Sequence, residues 1–358
     1  MKKKIDWPLV IASFAVVILF YTYHPPLGAN DNIANVIGAV NNPEGSTILM
    51  DKPYFTITVE SNLCVGALFF NGQVLSMAEM MPLKFDVPVN HWIRKGDNEL
   101  RMMLAPIDEQ GKMGKFPSSM KCTLTLRVRP SGSSLSDNVT VATLSFVAKD
   151  PSGMESNTPE GWLDSKMAFA SAKNGDIHIG KAKRVPFHDV GAVVTRTIAL
   201  PPIGLPEWKF VESDNITGLS APDIDGQLDD KTVASLKKEL LPIYKKIWSA
   251  LKANKLKDVL PLFEERNGET DAAFFKKPGE TGQKLAEELT KRASDKTIKL
   301  YPITDNNIVL HVSENDKLVR LAQNNDKALL CYSDPVNHVG YYYDVILRKS
   351  GNNWIITR

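Results

Sequence analysis

The chain has 358 residues, 43% of them apolar, with 43 Lys+Arg against 41 Asp+Glu. A formal charge of +2 argues against a nucleic-acid binder and against a polybasic membrane-surface protein. Three cysteines are too few for a disulfide scaffold, and the length accommodates a membrane anchor plus two globular domains.

Lys2, Lys3 and Lys4 precede Trp7-Pro8 and an apolar run from Leu9 to Phe20 interrupted only by Ser13, closed by Tyr21-Thr22-Tyr23. A basic start, an apolar middle and a polar exit make an export signal or a membrane anchor. No Lys or Arg follows until Lys52, so the positive-inside bias leaves residues 1–8 as a cytoplasmic tail and sends the remainder across the membrane. Leu9 to Tyr23 rises roughly 22 Å as a helix, short of a hydrocarbon core of about 30 Å. Trp7 and Pro8 lengthen it, and Trp7, Tyr21 and Tyr23 suit the two interfaces. The best cut site, Leu27-Gly28-Ala29, has a bulky outer residue, so a single-pass anchor over residues 9–23 is the preferred reading and a cleaved signal the alternative.

Residues 45–200 read as β structure. Tyr54–Val59, Leu83–Val87, Cys122–Val128 and Val139–Val147 alternate apolar and polar, which buries one face of each strand. Asn71-Gly72, Lys95-Gly96-Asp97-Asn98, Pro130-Ser131-Gly132 and Asn174-Gly175 supply turns. Short strands so punctuated predict an all-β sandwich. Cys64 and Cys122 fall in strand-like segments of this half, placed to pair in an oxidising compartment, with Cys331 left as a buried apolar residue.

One passage resembles the accessory sandwich domains (galactose-binding-like or Ig-like) of many glycoside hydrolases. It runs Leu68-Phe69-Phe70-Asn71-Gly72-Gln73-Val74, then Leu83-Lys84-Phe85-Asp86-Val87-Pro88, then Trp92 to Arg101 with its Lys95-Gly96-Asp97-Asn98-Glu99-Leu100 hairpin. The resemblance implies a sandwich fold over residues 68–101 and, as a rival function, carbohydrate or cell-wall binding through exposed aromatics such as Trp92 or Trp162.

Residues 201–229, with Pro201-Pro202, Pro206 and Pro222, read as a Pro/Gly-rich linker. Beyond it the period changes. Leu236, Leu240, Ile243, Tyr244, Ile247, Trp248 and Leu251 form a helical stripe, with Asp230 as N-cap and Asn254 as the stop. Leu256, Val259, Leu260 and Phe263 mark a second helix, and Thr281–Ala293 a third. Strands are expected at 307–312, 317–322, 328–332, 341–347 and 354–357. Helices followed by a curved antiparallel sheet predict an α+β domain over residues 230–358. That order resembles the NTF2-like superfamily, which implies a cone able to hold a small-molecule pocket.

Candidate reactive residues in such a cone are Tyr244, His311, Tyr341, Tyr343 and Asp344, but strand alternation places Tyr341 and Tyr343 on one face and Asp344 on the other. The six histidines are scattered, and no metal-spaced pair, Gly-x-Ser-x-Gly elbow, Gly-rich phosphate loop or Cys-x-x-Cys is present. Neither cofactor nor metal is expected. Asn138 and Asn215 head Asn-x-Thr triplets. Met77, Met80 and Met81 sit where a polar loop tip is expected, and together with Trp92 they are the candidate contacts for a partner. The preferred expectation is a non-enzymatic, membrane-tethered protein-binding module of the bacterial periplasm, with an immunity or inhibitor protein against an envelope-acting toxin as its narrower form. An NTF2-like enzyme or small-ligand binder is the second rival.

Overall fold

The computed structural model describes residues 52–147, 177–216 and 229–358, apart from residues 79, 106, 108–111, 113–115, 118–119, 181, 188–190, 201–202, 306–307, 313–316, 325–326 and 337. The expected anchor at 9–23 and Trp162 lie outside the described residues. Among the described residues, no helix is long and apolar enough to cross a membrane.

The first unit is two antiparallel sheets. Strands β1 (Pro53–Asn62), β2 (Val65–Phe70), β3 (Gln73–Ala78), β4 (Leu83–Pro88), β5 (Gly96–Ala105), β6 (Lys121–Pro130) and β7 (Val139–Val147) are followed by β8 (His178–Ile179), β9 (Lys183–Phe187) and β10 (Gly191–Leu200). One sheet runs β4-β1-β6-β7 and the other β3-β2-β5-β10-β8, with β9 also on β10. The period-two pattern explains the layers. Phe55, Ile57 and Val59 pair in register with Val128, Leu126 and Leu124, and all six join Leu68, Phe70, Leu100, Met102, Val194 and Ile198 in one core. Two antiparallel sheets around one apolar core have the arrangement of a β-sandwich.

The second unit opens with α1 (Asp230–Lys252), α2 (Leu256–Val259), α3 (Glu264–Ala273) and α4 (Glu280–Ser294). Asp229, one residue before the expected cap, accepts from the Lys231 and Thr232 amides. Asn254 ends the helix in the left-handed region, at φ 53°. Leu236, Leu240, Tyr244, Ile247 and Leu251 are the buried stripe of α1. Helix α3 carried no periodic signal because its inward residues include the polar Asn267 and Asp271. Buried Asp271 accepts from the Gly279 and Thr281 amides at 2.8 Å, which caps α4.

Strands β11 (Lys299–Leu300), β12 (Ile308–Val312), β13 (Leu318–Gln323), β14 (Leu330–Asp334), β15 (Val339–Tyr343), β16 (Leu347–Ser350) and β17 (Asn353–Ile356) follow. They form two sheets, β11-β14-β15 and β12-β13-β16-β17. The single strand expected at 341–347 is therefore two. The chain leaves one sheet after Tyr343 and enters the other at Leu347, with Val345 buried between them.

Residues 203–216 of the connection are packed rather than loose. Trp208 and Phe210 are fully buried, and the Trp208 Nε1 donates to the Ile93 carbonyl at 2.7 Å. Around them the two units interlock. The Arg358 guanidinium lies 5.2, 5.3 and 4.7 Å from the rings of Trp92, Trp208 and Phe210. It also donates to the Glu269 carboxylate and to the His91 carbonyl. Arg348 binds Glu265 in a two-pronged pair at 2.7 Å. Fully buried Asn90 donates to the Pro53 and Ala273 carbonyls, tying β1 to the end of α3.

Candidate functional site

The candidate site is built on the β2–β3 hairpin. Asn71 and Gly72 both take positive φ, 49° and 75°, the backbone that a tight primed turn demands. The Asn71 side chain then becomes a rivet. Its Nδ2 donates to the Trp92 carbonyl at 2.6 Å and to Asn98 Oδ1 at 2.8 Å, while its Oδ1 accepts from the Glu99 amide at 2.7 Å. Asn98 in turn holds the Arg94 amide and the carbonyls of Arg94 and Gly96. Two buried asparagines thus fix the hairpin to the loop that opens β5. Their polar groups are satisfied within the protein, so the Asn-Gly and Lys-Gly-x-Asn motifs of residues 68–101 act as structural locks.

Beside this rivet is an open pocket of about 290 Å³, lined by Gly72, Arg94, Asp97, Glu99 and Thr197 together with the two asparagines. Arg94 is the group left with binding capacity. Its Nε is buried without a partner, its guanidinium lies 5.6 Å from the Phe210 ring, and burial lowers its pKa against the opposing pull of Glu99. Glu99 is shared with Arg101 at 2.9 Å. The pocket therefore offers one desolvated cation and two carboxylates, a set suited to a polyhydroxylated or zwitterionic group. Arg94, Asp97 and Glu99 were not singled out from the sequence, where they read as turn and strand surface.

The apolar part of the site runs along β3. Among the described residues β3 pairs with β2 alone and so is an edge of its sheet. Val74 is 44% exposed and Met81, just past the strand, 68%. Met80 is half-buried. Met77 lies on β3 opposite Ala67, and its side chain is outside the described residues. Trp92, grouped with these methionines in the sequence reading, is only 8% exposed. It packs against Phe210 and Arg358 at the junction, so it offers no flat exposed ring to a sugar or a partner.

No protein-family model, no curated protein and no solved structure matches this chain. The chemistry of its own residues therefore carries the argument.

The candidate reactive residues of the second unit are engaged in packing. The Tyr244 hydroxyl donates to the Val345 carbonyl and accepts from the Leu321 amide, and burial is the largest influence raising its pKa. The Arg292 guanidinium lies 3.5 Å over the Tyr341 ring, and burial pushes the neighbouring Tyr343 phenol up to about 12. Asp344 pairs with Arg320 at 3.0 Å. His311 lies opposite Arg320 across the β12–β13 pairing. These contacts split four of the five candidates between a tyrosine–arginine stack, an ion pair and a core hydroxyl, and His311 stands apart on β12. Among the described residues no group of three His, Cys, Asp or Glu side chains could hold a metal.

Cys64 and Cys122 are thiols, both fully buried in the sandwich core. The neighbouring Cys122, then burial, holds the Cys64 pKa well above the usual thiol range, which keeps the sulfur un-ionised once the fold closes. Cys331 is buried separately, its thiol pushed up to about 11 by burial.

Proposed function

We propose that the chain is a membrane-tethered, non-enzymatic protein-binding module of the bacterial periplasm, with an immunity or inhibitor protein against an envelope-acting toxin as the narrower form. The supporting observation is the β3 edge. It carries unpaired backbone groups, two exposed apolar side chains at Val74 and Met81, and a hairpin held rigid by Asn71 and Asn98. A rigid, apolar sheet edge suits an extended segment or apolar ridge of another protein, because little ordering entropy remains to be lost on binding. The tether itself is supported by Lys2–Lys4 and the apolar run at residues 9–23. The second unit is read as an NTF2-like cone from its order of four helices before the strands.

A pull-down from membranes with the full chain as bait identifies the partner, and titration of that partner against Met80→Ser/Met81→Ser supplies the test. The expected result is about a thirty-fold loss of affinity with the melting temperature unchanged. A large drop in melting temperature with affinity per folded molecule intact overturns the edge as an interface. A periplasm-dependent reporter fused after Arg358 tests the topology, and cytoplasmic reporter activity rejects it. The pocket beside Arg94 favours a second reading, a cell-wall carbohydrate ligand, which predicts that soluble glycan fragments protect Arg94 from dicarbonyl modification.

A further inference from the structure

We infer that the solvent face of α1 is a docking surface for an anionic lipid bilayer. Lys231, Ser235, Lys238, Pro242, Lys245, Ser249 and Lys252 recur at alternating spacings of four and three, and all seven are exposed. The opposite stripe is committed to the core. The four lysines lie seven residues apart, about 10 Å each, so the row extends about 31 Å along one side of the helix. Residues 231–258 hold eight lysines against two acids, Glu239 and Asp258, in a chain whose overall charge is only +2. The near-neutral total thus hides a segregated basic face. Asp305 touches Lys245 at 2.9 Å, and Glu239 is turned toward the Trp354 Nε1 at 3.2 Å.

Two aromatic residues border the row. The half-buried Trp248 lies one turn from both Lys245 and Lys252, with Lys252 Nζ 4.8 Å from its ring. Its Nε1 donates to the Tyr301 carbonyl at 2.6 Å, and the Tyr301 side chain is 53% exposed. Tyrosine and tryptophan beside lysines are what a lipid headgroup layer accommodates. A protein partner fits less well, because lysine is depleted from the cores of protein interfaces, whereas an evenly spaced row of hydrated point charges, drifting only about 20° around the helix per seven residues, matches an array of headgroups. With its apolar stripe in the core, α1 lies on the surface without inserting, and the attraction is salt-sensitive.

The inference uses the proposed tether only to bring the face near a bilayer. The test takes the full chain with vesicles of phosphatidylcholine alone or mixed with phosphatidylglycerol. Flotation and a membrane-impermeant lysine-acylating reagent, read by mass spectrometry, are the two measurements. The expected result is several-fold slower labelling of Lys231, Lys238, Lys245 and Lys252 on the anionic vesicles, relative to Lys284. The protection disappears at high salt and in a variant with all four changed to Gln, and each lysine removed lowers the anionic contribution about fivefold. Flotation with neutral vesicles but equal labelling on both lipids supports the tether and overturns the docking face, leaving an acidic protein as its occupant. Flotation with anionic vesicles alone rejects the tether and upholds the docking face.

Discussion

Two charged regions of this molecule are built on opposite principles. At the junction between the units, Arg358, Arg348 and Asn90 are buried, Glu269 and Glu265 are largely covered, and each is held by named partners. On α1 the lysines are spaced out in solvent, with Asp305 on Lys245 as a contact. Burial makes the difference. A charge taken out of water costs several kcal/mol unless it is paired, so a buried charge is committed to one arrangement. An exposed charge gains little from a neighbour and stays available for something outside the protein. The junction therefore holds the structure together, and the α1 face is open to a second surface.

The largest expected effect is at the junction. Arg358→Met leaves Glu269 without its cation and should cost about 3–5 kcal/mol in denaturant unfolding. Adding Glu269→Gln to that variant should recover part of the loss, since it removes the stranded charge. Equal stability of the single variant and the parent would put the junction on the same footing as the exposed face.

Next comes the sandwich core. Oxidation of Cys64 and Cys122 closes a loop of roughly sixty residues and should add about 4 kcal/mol in the chain-entropy account. Because both thiols are inaccessible in the folded protein, the bond forms only before the sandwich closes. Non-reduced peptide mapping of protein folded under oxidising conditions should show that single bridge, and ready alkylation of both thiols under native conditions would rule it out.

Acid supplies a third effect, smaller per pH unit than either. Burial first, then the Arg358 and Arg266 charges, lower the His91 pKa to about 3. Between about 6.5 and 3 the unfolded chain binds a proton at His91 that the folded chain does not. Stability should fall by about 1.4 kcal/mol per pH unit as pH drops through that window, and it is fully present above it. The stability difference between the parent and His91→Asn, followed from pH 7 to pH 4, isolates this contribution from that of the carboxylates. A pH-independent difference would mean that His91 is solvated.

The smallest effect belongs to the exposed lysines. Changing Lys231, Lys238, Lys245 and Lys252 to Gln should leave unfolding free energy within about 0.5 kcal/mol. A larger loss would show that the α1 face carries structural charges after all.

The sequence by itself determined the layers. Alternation in Phe55–Val59 and Leu124–Val128 gave strands with one buried face, and the spacing Leu236, Leu240, Tyr244, Ile247, Leu251 gave α1, because each pattern repeats at the period of its own backbone. It also picked out Met81 as apolar where solvent was expected, and the structure leaves that side chain exposed. Tertiary structure alone decided the rest. Helix α3 carries Glu265, Glu269 and the cap for α4, yet it has no readable stripe, since its inward side chains are satisfied by hydrogen bonds rather than by apolar contact. Trp92 read as a candidate contact until the packing placed it under Arg358, 266 positions further along the chain. The pocket at Arg94 is bounded by Asn71 on the β2–β3 hairpin and Asn98 at the start of β5, which bond to each other. Periodicity records which face of an element is apolar. Which distant polar group completes another depends on where the chain brings them together, and no local pattern encodes it.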